Sequence, residues 1–167
     1  MTLNLNEVVI TASGVDAAGP LAEALALRAD VLAATEAAHD ASLTPTDPGG
    51  VSLAERAALA VRIARQNAAP ELEAHYQGLL AKAGGDAAAP RLAETLYAGE
   101  DDPRLAAILD YMDQVAVTPR EATAGEITAM QAAGVSDADI VRLAELNAFL
   151  AYQIRLVAGI KLLKGAA

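Results

Sequence analysis

Apolar residues along this chain recur at helical spacing almost throughout. Leu21, Leu25, Val31 and Leu32 follow Pro20, and proline is well placed at a helix's first position, where no N–H is needed; the spacing predicts a helix from Pro20 to about Ser42. "LTPTDPGG" (43–50) breaks the pattern. Ser52 with Glu55 three residues on is a capping-box pattern, so a helix opens there and ends near "QNAA". Pro70 starts its partner, which stops at "AGG" (83–85). Residues 86–102 are a loose, Ala-rich stretch. Pro103 then opens a helix through "RLAAILDYMDQVA", and "TPREAT" breaks it. Thr123 with Glu126 caps the short helix "GEITAMQAAG", and Ser136 caps a final helix from Asp137 to Lys164. The only β-branched run of strand length is "EVVIT", inside residues 1–19, which read as a leader with at most one short helix. The expected fold is all-α, one domain over 20–167 behind that leader.

The final helix is apolar on nearly every face, through Ile140, Leu143, Leu146, Phe149, Leu150, Ile154, Leu156, Val157 and Ile160. Such a helix is either central in its own domain or covered by another subunit. A helical bundle completed by homo-oligomerisation is the resulting expectation.

Composition narrows the function. At 167 residues the chain is long enough to bury roughly 70% of its unfolded surface. Its abundant Ala and Leu favour helix. A net charge of −10 and a pI near 4.5 leave no basic stripe for nucleic acid or anionic membrane. Mean hydropathy is positive at +0.29, yet Arg142, Glu145, Arg155 and Lys161 interrupt the most apolar stretch, short of the ~18 uncharged residues of a spanning helix. "MTLNLNEVV" lacks a signal peptide's basic start and apolar core, so a cytoplasmic location is expected. Cysteine is absent, which removes disulfides, thiolate metal sites and thiol redox chemistry together. The two histidines stand far apart in sequence, no HExxH or EF-hand pattern occurs, and "DPGGVS" is no phosphate loop. Neither metal nor cofactor is expected.

Three segments carry a family likeness, over about residues 43–165: the hairpin "LAERAALAVRIARQN…HYQGLL", then "DPRLAAILDYMDQVAVTPREATAGEI", then "MQAAGVSDADIVRLAELNAFLAYQIRLVAGI". In this order they resemble the carboxymuconolactone decarboxylase and alkylhydroperoxidase D-like superfamily, the last two its peroxidase-related branch. That branch carries an Asn-Gly pair, a Cys-x-x-Cys and a histidine at the hairpin, with a glutamate ten residues before the Asn. Registered on Asn67, those functional positions fall at Ala69, Leu72, Tyr76 and Ala57. The resemblance therefore implies the fold without the thiol relay, since peroxide reduction there needs a thiolate and a resolving thiol. The decarboxylase branch has no cysteine pair. Its "EL-x-x-H-x-x-G-x-L" is similar to Glu71, Leu72, His75, Gly78 and Leu80, if the turn is one residue shorter.

His75 is then a candidate general base, or simply a histidine flanking the core stripe Leu72, Tyr76, Leu79 and Ala83. Glu145, set in the apolar final helix, is a second candidate catalytic carboxylate or an ion-pair partner of Arg142. Arg155 suits a substrate carboxylate through its planar fork, or a salt bridge between subunits. Tyr152 and Tyr76 are candidate pocket residues or core. His39 is expected exposed near a helix end, and Glu55 acts as the cap partner of Ser52. Three functions fit: a cysteine-free binding or partner protein, a cofactor-free acid–base enzyme acting on a small organic acid or lactone, and a purely structural oligomer.

Overall fold

A computed structural model describes residues 3–84 and 88–165, all helix and connecting turns. The helices are α1 (Val8–Ser13), α2 (Pro20–Ala26), α3 (Ala29–Leu43), α4 (Leu53–Gln66), α5 (Pro70–Ala83), α6 (Ala89–Leu92), α7 (Pro103–Val117), α8 (Ala124–Ala132) and α9 (Asp137–Gly165). A 3-10 turn at Pro119–Glu121 joins α7 to α8. Gly85, at the expected end of the hairpin, and residues 86–87 of the loose stretch lie outside the described residues.

Local chemistry sets most of these ends. Ser52 Oγ accepts from the Glu55 N–H while Glu55 returns to the Ser52 N–H, a closed capping box. Thr123 and Glu126 form another at α8. Ser136 Oγ accepts from the Asp139 N–H at the start of α9, and Asp102 caps α7.

Three expectations are corrected. The helix drawn from Pro20 to Ser42 is two helices, broken at Leu27 and Arg28, where Leu27 lies in solvent. The segment expected as a leader does carry one short helix, but its described residues, 3–19, join the domain: Val9 and Ile10 of α1 are fully buried, α1 packs against α3, α5 and α9, and the Val8 N–H donates to Glu36 of α3 at 2.9 Å.

The third concerns the centre of the fold. α9 buries one face, with Leu143, Leu146, Leu150 and Val157 inward while Val141, Tyr152, Leu162 and Leu163 are exposed. By length and composition α9 could cross a bilayer, but its inward face packs on α1, α3, α4 and α7 as a core helix does. The central helix is α4. Every residue from Arg56 to Ala64 is buried, and Ala57, Ala58, Ala60 and Ala64 let α5, α6, α7 and α9 approach closely.

Two arginines of α4 are buried with it. Arg56, 3% exposed, donates to the carbonyls of Ser42, Pro48 and Val51 at 2.8–3.0 Å. Arg62, 2% exposed, grips Asp113 of α7 through two bonds of 2.5–2.6 Å. It also donates to the carbonyls of Glu94, Thr95 and Tyr97 in the loop after α6.

Two stability predictions follow from this packing. Arg62→Leu strips Asp113 of both guanidinium bonds, leaving it only Gln66, and frees three carbonyls, and loss of one member of a buried pair costs about 3–5 kcal/mol. Arg65→Ala, which breaks a half-exposed pair with Glu73, costs about 1 kcal/mol or less. Urea denaturation of both variants checks the contrast, and equal losses contradict it. Ala68, at the hairpin turn, has φ +50°, a left-handed conformation that L-residues adopt at a cost. Ala68→Gly should therefore raise stability by up to about 1 kcal/mol, the relief of strain being partly offset by glycine's extra chain entropy. An unchanged or lowered denaturation midpoint contradicts this.

Candidate functional site

The hairpin of α4 and α5 leans against α9. Pro70 sets the first turn of α5, and helical spacing then aims Leu72 and Tyr76 inward together. Both are fully buried, and the Tyr76 hydroxyl donates to Gln153 Oε1 of α9. Burial without a nearby positive charge holds the Tyr76 phenol far above its usual range, so it stays protonated. Beside the turn a cavity of about 80 Å³ remains, lined by Asn67, Ala69, Leu72, Ile154, Val157 and Lys161. The Lys161–Glu71 ion pair, 2.5 Å long, lies at its edge and lowers the Glu71 carboxyl through its hydrogen bond. The positions where the family likeness has sulfur are thus apolar, and the tyrosine beyond them is locked into the core.

A second cluster forms on the other side of α5, against α3 and α9. His75 Nε2 lies 2.9 Å from His39 Nε2, and His39 Nδ1 lies 3.0 Å from Asp40 Oδ1. An ionised carboxylate only accepts, so His39 carries its proton on Nδ1 and offers the Nε2 lone pair; His75 then donates from Nε2. Burial, the neighbouring His39 and Lys82 push the His75 pKa down to about 4. Phe149 packs edge-on against His39 with ring centres 6.1 Å apart, and the Tyr152 hydroxyl is 2.9 Å from Thr35 Oγ1 of α3. Glu36, one turn before His39, completes a polar seam along α3.

The residues singled out in the sequence separate into two groups. His75, Tyr76 and Tyr152 do meet the α3–α5–α9 junction. Glu145 and Arg155 do not join them: both are exposed on α9, with no hydrogen bond or ion pair to either side chain. Arg142 pairs with Asp139 at 2.9 Å rather than with Glu145. His39, expected in solvent, is 3% exposed and is the partner of His75. The two histidines are 36 residues apart in sequence but in direct contact, which removes the ground on which a metal was excluded. Only a Glu-x-x-His-Asp pattern on α3 (36–40) hinted at this cluster. A groove of about 620 Å³ beside Arg62, Asp110, Asp113 and Gln114 contains none of the singled-out residues.

No protein-family model matches this chain, and neither does any curated protein. Among solved structures it is similar to an uncharacterized peroxidase-related protein from Silicibacter sp. TM1040. The TM-score is 0.68 at 19% identity, over 82% of this chain and 71% of that one. At that identity the likeness is one of fold: this chain shares its all-α architecture with a peroxidase-related protein.

Proposed function

We propose that the chain is a divergent, cysteine-free relative of the peroxidase-related, alkylhydroperoxidase D-like proteins that acts by binding, as an oligomeric binding or partner protein, and not as a thiol peroxidase. One observation carries this reading. The hairpin positions that correspond to the thiol relay, Ala69, Leu72 and Tyr76, are apolar or sealed by the bond from Tyr76 to Gln153. A hairpin in that state can pack and bind, but it holds no nucleophile. Exposed Leu27, Val31, Tyr152, Leu162 and Leu163 supply apolar surface for an assembly.

The Asp40–His39–His75 chain favours a second reading, a cofactor-free acid–base enzyme on a small organic acid or lactone. His75 is neutral at pH 7 and can accept a proton, whereas Arg155, exposed on α9 and apart from this chain, does not serve it as a carboxylate anchor.

Three measurements test the observations behind these readings. Peroxide consumption with a dithiol donor and chelated trace metal should equal the protein-free blank, and turnover above it contradicts the binding reading. Light scattering at micromolar concentration should give a multiple of 17.0 kDa; a mass of one chain rules the assembly out. The third is pH dependence. The folded His75 pKa of about 4 lies below its ordinary 6.5, so between those values the unfolded chain binds the proton first. In the presence of a chelator, stability should be full above pH 6.5 and fall as pH drops toward 4, and His75→Gln should flatten that slope. An unaltered slope in the variant contradicts the buried neutral imidazole.

A further inference from the structure

From the α3–α5 seam we infer that this protein binds one divalent transition-metal ion of the Cu²⁺/Zn²⁺ class between His39 Nε2 and His75 Nε2. Two nitrogens bonded to one ion at 2.0–2.1 Å stand about 2.9 Å apart at a right angle and about 3.3 Å apart at the tetrahedral angle. The observed separation is 2.9 Å. Rotation of both rings, so that the two Nε2 lone pairs aim at one point beside the N–N line, together with transfer of the His75 proton to Nδ1, turns the hydrogen bond into a chelate.

The surroundings match what such ions require. Behind His39, Asp40 Oδ1 accepts from Nδ1–H at 3.0 Å. That carboxylate–histidine arrangement fixes the tautomer and raises the basicity of the ligating nitrogen. Glu36 places a carboxylate oxygen within 4.8 Å of a His39 ring nitrogen and of Asp40, so α3 carries two carboxylates beside the first ligand. From α5 the charged neighbour is Lys82. From α9 come Phe149, edge-on to His39, and Tyr152, bonded to Thr35. Imidazole nitrogens backed by few oxygens select Cu²⁺, Zn²⁺ or Ni²⁺ over Mg²⁺ or Ca²⁺. The second nitrogen comes from a different helix, so the ion would fasten α3 to α5.

The test uses untagged, chelator-stripped protein titrated with ZnCl2 by calorimetry and with CuCl2 by electron paramagnetic resonance. One equivalent of each ion should bind saturably, MgCl2 should give no heat at the same concentrations, and the copper spectrum should show two imidazole nitrogens. His75→Gln should remove one nitrogen and weaken Zn²⁺ at least about 100-fold. Asp40→Asn, which leaves both ligands in place, should weaken it about 10- to 100-fold. Absence of saturable one-to-one binding, a copper spectrum of oxygen ligands only, or His75→Gln binding as tightly as the parent chain each overturns the inference. If His75→Gln does not fold by circular dichroism, the parent's copper spectrum decides: two nitrogens support the site, and one or none overturns it.

Discussion

Two guanidinium groups buried in one helix hold the irregular parts of this protein in place. A buried charge is tolerated only when its donors are met. Arg56 meets that condition with three carbonyls from the end of α3 and the loop before α4, and Arg62 does so with Asp113 and the loop after α6. The loops run over the surface, but their carbonyls are pinned from beneath by side chains on a single helix. The alanines of α4 then permit close helix packing around it, while the arginines determine where the connections go. The hairpin partner α5, the α3 seam and the inward face of α9 take their positions from that arrangement.

Much of the fold was legible because its signals are local. Ser52 with Glu55, Thr123 with Glu126, and prolines at the first turns of α2, α5 and α7 act over three or four residues, and the structure realises each of them. What was not legible depends on partners distant in sequence. The break at Leu27–Arg28 has no glycine or proline to mark it. No local signal marks α4 as central, because its two arginines resemble surface residues until the carbonyls they meet are known. α9 reads as either central or covered by another subunit, because hydropathy does not distinguish a buried leucine from the exposed Leu162 and Leu163.

The candidate site divides in the same way. His75 could be singled out by pattern, but its partner could not. The contact from His39 to His75 joins α3 to α5 across the bundle, and no periodicity reports it. Arg155 and Glu145 drew notice because a charge in an apolar stretch suggests burial. On a helix with one exposed face, it can equally mark that face. Their exposure on α9 is the ordinary solution for a charged side chain.

The position of His75 also connects the two halves of the site. In the register on Asn67, the resemblance would put a histidine at position 76, on the side of α5 that faces α9. Here Tyr76 takes that direction and binds Gln153, while the imidazole sits one residue earlier. One residue along a helix turns a side chain by about 100°. That step carries the imidazole away from the small cavity at Asn67–Leu72 and onto the α3 seam, where His39, itself held by Asp40, meets it. The two rings stay adjacent on α5, with centres 5.4 Å apart, so a shift of α5 moves both. Filling the hairpin turn and building the histidine pair are therefore linked through a single helix: the packing that closes the first position fixes the orientation of the second.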